Sequence, residues 1–355
     1  MPFADAKLGE FRIAAQVADA HFAYVPKSIQ PAGSLPWPAL TQMNGELVFE
    51  RTSLAVNAAS GRFGENNSLQ IVRADARIPD LSATPTVTVN AQARGAGSDM
   101  LAVVNGSPLL GMTSQSLAKT TATGNAEIQL NLNLPLFNLE RSKVQGSLTL
   151  AGNDVQVTPG SPMLARSKGL VTFNESGFAI QGAQASLLGG DMRLEGGSQS
   201  NAGPDDAGLV FKAQGTVTAE ALRQAKDLGF ASRLGQSAAG SAAYAAVLSF
   251  RRGLPELSIT SNLQGMALNF PAPLAKPAET ALSLRYENSL VRESLVAGQK
   301  LQDQILVDIG SIASIVYVRD ISGAEPRVLR GGIGVGLGQG ETTPYTENAV
   351  IANIN

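Results

Sequence analysis

The chain has 355 residues, 44% of them hydrophobic but only 5% aromatic and 16% charged, with a formal net charge of -2. That balance excludes a basic field for nucleic-acid phosphates, and the lack of Cys beside a single His excludes disulfide staples, thiolate chemistry and the usual zinc sites. No stretch reaches the roughly 18 consecutive apolar residues of a membrane-spanning helix, and the opening Met1-Pro2-Phe3-Ala4-Asp5 lacks the basic and apolar regions of a signal peptide, which predicts a segment cut from a longer protein.

In chain order, the dominant signal is a two-residue period, established by Phe11. It recurs at Val87, Val89, Ala91 and Ala93. It is cleanest at Ala126, Ile128, Leu130, Leu132 and Leu134, which alternate with Glu127, Gln129, Asn131 and Asn133. It returns at Leu209, Phe211, Ala213, Gly215 and Val217, and again at Ala242, Tyr244, Ala246, Leu248 and Phe250. Helical spacing is confined to Ser98–Leu110 and Ala219–Leu228, the second with Thr218 as N-cap and Gly229 as its stop. These signals predict a mainly β protein, an antiparallel sheet with one apolar face and few short helices.

The sequence also repeats. Val17, Phe22, Tyr24 and Pro26 align without gaps on Leu150, Val155, Val157 and Pro159, and Leu263, Leu268 and Phe270 keep the spacing in a third copy whose Pro271 arrives one residue early. Pro38, Leu40, Gly45, Leu47, Phe49, Leu54 and Val56 match Pro162, Leu164, Gly169, Val171, Phe173, Phe178 and Ile180 at a constant displacement. Such periodicity predicts a stack of similar sheet units, divided at 1–110, 111–230 and 231–355. The residues alone leave two uses for the apolar face: burial inside a closed core, or an open apolar trough.

Candidate catalytic positions read as surface. His21 falls on the polar side of its strand if Phe22 and Tyr24 face the other way, and Asp205-Asp206 follows Gly203-Pro204 as an exposed turn. Ser116-Leu117-Ala118-Lys119 has the S-x-x-K form without the companion motifs of that chemistry. Gly331, Gly332, Gly334, Gly336, Gly338 and Gly340 repeat with a strand's period, lack the P-loop lysine and precede no helix, so they predict a bent or closely approached strand. Trp37, between Pro36 and Pro38, reads as a structural plug in a crossing segment. No enzyme activity, cofactor or metal is expected.

Leu35-Pro36-Trp37-Pro38 with Leu40, Leu134-Pro135-Leu136, Ala183 with Ala185, Leu187, Gly189 and Gly190, Tyr317 with Arg319-Asp320, and Arg330-Gly331-Gly332-Ile333-Gly334 together resemble the C-terminal part of the YhdP family, large AsmA-like and TamB-like envelope proteins of Gram-negative bacteria. The resemblance implies an elongated, twisted sheet in repeats that forms an apolar groove. It implies a bridge-like protein carrying phospholipid between inner and outer membranes, periplasmic and anchored to the inner membrane by an N-terminal helix absent from this segment. The acyl chains would lie on Leu47, Phe49, Ile128, Leu130, Leu132, Leu134, Leu148, Leu150, Val171, Phe173, Phe211, Leu248 and Phe250. A structural or adhesive β-repeat protein with a closed core is the alternative. An outer-membrane β-barrel is disfavoured by the low aromatic content.

Overall fold

The computed structural model describes residues 11–25, 28, 30, 32–64, 68–82, 84–113, 115–198, 208–228, 230–323, 325–336 and 350–354. The chain is mainly β, and its contacts divide it into two compact units, Met1–Ala183 and Gln184–Asn355. Asp205, Asp206, Gly338 and Gly340 lie outside the described residues.

The first unit opens with β1 (Arg12–Phe22), β2 (Leu40–Glu50), β3 (Ser53–Phe63), β4 (Gln70–Ile78) and β5 (Thr86–Ala96). Each is antiparallel to its sequence neighbour. Two short helices follow, α1 (Gly97–Asn105) and α2 (Leu109–Met112), then β6 (Thr121–Ala122), β7 (Asn125–Pro135), β8 (Lys143–Gln156), β9 (Leu164–Asn174) and the start of β10 (Gly177–Leu187). The predicted single helix over Ser98–Leu110 is thus two, broken at Gly106 and Ser107, where Pro108 cannot donate to a continuing helix.

Because directly opposed residues of antiparallel strands share a face, the register sorts the side chains. Val89, Leu132 and Val144 lie in one cross-strand row; Ala91, Leu130, Gly146 and Phe173 in the next; Ala93, Ile128, Leu148 and Val171 in a third. The opposite face carries Asn90, Asn131 and Gln145, and Gln92, Gln129 and Ser147. The alternation read from the sequence is therefore one apolar face and one polar face.

The internal repeat reappears as backbone geometry. β1 and β2 pair Val17 with Gly45, Ala20 with Met43 and Phe22 with Leu40, slipping register twice. β8 and β9 pair Leu150 with Gly169, Asn153 with Ser167 and Val155 with Leu164, with the same two slips. Positive φ falls at matching places: Asp19 and Gly152, Gln42 and Arg166, Ala58 and Gly182. Each slip is a bulge, which bends its strand and increases the local twist; bulges on successive strands make a bend line across the sheet, present in both copies.

The second unit continues with β11 (Gly190–Ser198), β12 (Leu209–Thr218), α3 (Ala219–Gln224), a 3-10 turn at Lys226–Leu228, and α4 (Phe230–Gln236). The Thr218 hydroxyl accepts the Ala221 N–H, as its N-cap role predicts. α4 was not anticipated: its apolar positions are too few to raise a helical period, and it is held by packing on α3. Then come β13 (Ala238–Arg251), β14 (Leu254–Ser261), β15 (Met266–Leu268), β16 (Leu284–Leu290), β17 (Gln302–Ile309), β18 (Ala313–Asp320), β19 (Arg327–Val335) and β20 (Val350–Ile354). Neighbours are antiparallel except β19 and β20, which run parallel and make the sheet mixed rather than purely antiparallel.

The third sequence copy keeps its spacing but breaks its strand. Where β8 bulges at Ala151–Asn153, the chain here leaves β14 at Ser261 and resumes at Met266. The interrupted segment packs inward, so Leu263, Met266 and Leu268 form a core with Ala219, Ala238 and Ala242. A second core joins Val307, Ile309 and Ala313 to Leu274 and Leu282.

Candidate functional site

The apolar face of the first unit is lined but not sealed. Along β7, Ile128, Leu130, Leu132 and Leu134 are half-buried while Glu127, Gln129, Asn131 and Asn133 are exposed. Leu148, Leu150, Val171 and Phe173 are also half-buried. Leu47 and Phe49 sit opposite Val56 and Leu54, and opposite Ala15 and Ile13 on the other side. Phe49 is 36% exposed and Ile13 52%. In a two-sheet sandwich such inward residues would be fully covered by the facing sheet.

Buried residues on this face include Ala93 and Ala126, close to the turn carrying α1, which packs on β5 and β6, together with Ile71 beside Ala93 and Ala59 at the β3 bulge. Small side chains let the covering segment approach, and Gly97 donates to the Gly124 carbonyl there. Elsewhere glycine makes room for a ring: a Cβ on Gly146 would stand 2.3 Å from Phe173 Cζ, so the Phe173 ring lies over Gly146, where the first copy has Ile13 opposite Phe49. Gly331 accommodates Tyr317 in the same way, which accounts for that member of the glycine series as a closely approached strand position.

In the second unit, Phe211 pairs with Leu248 and Leu248 with Leu257; Phe250 stands opposite Leu209. Phe211 and Phe250 meet edge to face, with ring centroids 6.4 Å apart. The thirteen positions read from the sequence thus fall on the apolar face of one unit or the other: ten together in the first, and Phe211, Leu248 and Phe250 together in the second.

Electrostatics separate the faces. On the polar side of the first unit, Lys143 pairs with Glu175 at 2.7 Å, and that carboxylate also accepts the Val144 N–H, so its pKa falls to about 2. Asp75 accepts the Ala58 N–H at the β3 bulge, which lowers its pKa, assisted by Arg73. Lys276, 5% exposed, donates to the carbonyls of Met266 and Pro277 and holds the inward segment of the third copy; burial lowers its pKa.

A polar cluster lies on the apolar face of the second unit. Asp303 precedes Ile305, Val307 and Ile309 in phase, and Arg319 follows Ile315 and Tyr317 in phase, so both project from the apolar side. Arg319 grips Asp303 through Nε at 2.9 Å and Nη2 at 2.5 Å, and Asn288 donates to the same carboxylate at 2.8 Å. Sequence reading missed this pair, though a carboxylate and a guanidinium each in phase with an apolar set was the available signal.

The remaining candidates are surface features. His21 is exposed on β1, and Ser116 and Lys119 are exposed in the turns after α2. Trp37 is half-buried and meets the exposed Tyr24 edge to face, ring centroids 6.0 Å apart.

A repeated, mainly β scaffold whose units each carry an apolar, partly uncovered face defines a class of proteins that present hydrophobic sheet surface. The chain belongs to the YhdP family, whose model matches residues 1–355. A curated relative, the intermembrane phospholipid transporter YhdP of Escherichia coli (strain K12), is 23% identical over 282 residues, covering 78% of this chain and 20% of the relative. The chain therefore spans about a fifth of that relative's length. No solved structure matches.

Proposed function

We propose that this chain is a segment of an intermembrane phospholipid carrier of the bacterial envelope, and that its apolar face holds acyl chains. The observation that carries the reading is the half-burial of Ile128, Leu130, Leu132 and Leu134 on a face where a closed core would bury them. Each methylene laid on such a face gains about 0.8 kcal/mol, while a polar head group stays in water. Leu47, Phe49, Leu148, Leu150, Val171, Phe173, Phe211, Leu248 and Phe250 extend the same contact within their units. Successive groove units correspond to 1–110, 111–230 and 231–355, and the inner and outer membranes are reached through parts of the longer protein. The relative's name supports phospholipid as a cargo moved between membranes, and the periplasm is where such a path lies in this reading. The inner-membrane anchor of this reading is an N-terminal helix of the longer protein; among the described residues no helix is long and apolar enough to cross a membrane.

Native mass spectrometry of the purified 355-residue chain tests the proposal. Phospholipid adducts that vanish when Leu130 and Leu132 are both replaced by Asn are the expected result. A folded wild-type chain that carries no lipid, and takes none up from phosphatidylethanolamine vesicles, contradicts it.

A further inference from the structure

A buried ion pair on an apolar wall gains little stability, because the desolvation of both charges offsets their attraction. Asp303 and Arg319 therefore call for a use beyond folding, and their surroundings indicate one. Asp303 is 4% exposed, whereas the Arg319 side chain keeps 24% of its surface. Asp303 occupies the Nε–Nη2 edge of the guanidinium, and Asn288 holds the carboxylate from a third side. The fork is fixed in place, and the Nη1 side points away from Asp303. Next along the same face come Ile305 and Tyr317, both half-buried, and beyond them the sealed core of Val307, Ile309 and Ala313. At the other side of Arg319, β19 slips register beside Val328, which is 46% exposed. Within the second unit, an apolar surface, an oriented guanidinium and a bulged strand end are thus contiguous.

We propose that Arg319, positioned by Asp303 and Asn288, binds the phosphate diester of a two-tailed lipid whose chains rest on the neighbouring apolar face. This deepens the lipid reading by assigning a head-group contact. A planar guanidinium presents paired N–H donors that match phosphate oxygens, and holding it in advance reduces the ordering cost of binding. The carboxylate of Asp303 does not compete for the outer edge, since its oxygens already accept from Nε, Nη2 and Asn288.

The test compares phosphatidylglycerol with diacylglycerol of identical tails, each presented to the 355-residue chain from detergent, with soluble glycerophosphoglycerol as a third probe. Arg319→Gln leaves Asp303 as an orphan charge, so the double variant Asp303→Asn/Arg319→Gln, which removes both charges at nearly constant shape, is measured beside it with thermal melting. The expected result is a folded double variant whose phosphatidylglycerol affinity falls about tenfold while diacylglycerol binding is unchanged, and a soluble diester that binds neither protein measurably. Equal loss for both lipids, or no loss for either, overturns the head-group assignment. Glycerophosphoglycerol binding as tight as the intact lipid, and lost in the double variant, overturns it in favour of a plain anion site. A wild-type chain that binds no lipid with or without phosphate rejects the acyl-chain reading, which the double variant cannot do.

Discussion

At the residue scale, Leu148 and Thr149 separate a wall from a core. Leu148 lies between Ile128 and Val171 on the apolar face; Thr149 faces the other way between Glu127 and Leu170. Since Leu148 is half-buried, an aspartate there keeps access to water, and Leu148→Asp is expected to lower stability by only about 1–2 kcal/mol while abolishing lipid capture locally. Thr149→Asp is expected to change neither. Thermal melting beside lipid adduct counting checks both, and a Leu148→Asp chain that unfolds outright would mean a sealed core. Gly146 makes a second case. Gly146→Val would drive a methyl-bearing carbon into the Phe173 ring and cost about 1–3 kcal/mol. Phe173→Ala in the same chain should recover part of that loss, a coupling that a double-mutant cycle measures directly.

The Lys143–Glu175 pair gives a pH dependence with a definite sign. The folded carboxyl sits at about 2 against its ordinary value of 4.5, so the folded state binds its proton less readily than the unfolded chain. Its contribution is full above the unfolded value and is lost as the pH falls through 4.5 toward about 2. Glu175→Gln should flatten the stability profile in that window alone. Because the pair is exposed, added salt should shrink the difference between the two proteins.

At the scale of elements, the repeat is best expressed by its bulges. Ala58 has φ 48° where the second copy has Gly182 at φ 59°. An L-residue in that region carries steric strain that glycine lacks, offset in part by glycine's freedom in the unfolded chain. Ala58→Gly is therefore expected to raise stability by about 0.5 kcal/mol, seen as a higher Tm, and a fall would mean that the bend is not shared strain. The alternation from Ala126 to Leu134 made β7 and its faces legible from sequence, because a two-residue period maps directly onto the pleat. The paired register slips were not legible: Asp19, Gln42 and Ala58 are ordinary residues at positions where only the backbone is unusual. α4 escaped for a related reason, as tertiary packing rather than local period stabilises it.

At the scale of the whole chain, sequence periodicity disclosed which residues share a face but not what covers them. Ala126 and Leu130 belong to the same alternating set, yet one is 3% exposed beneath the helical end of its unit and the other is only half-covered. Likewise Leu263 and Leu150 match in sequence, while one lies in a local core and the other on the wall. Coverage is set by long-range contacts that a periodic pattern does not encode. The most direct measurement places a photo-crosslinking amino acid at Leu130 or at Asn131, neighbours on one strand with opposite faces, and exposes each chain to phosphatidylethanolamine vesicles before irradiation. Lipid adducts at Leu130 well above those at Asn131 are predicted; equal capture at both positions, or capture at Asn131 alone, would contradict an acyl-chain site on the apolar face.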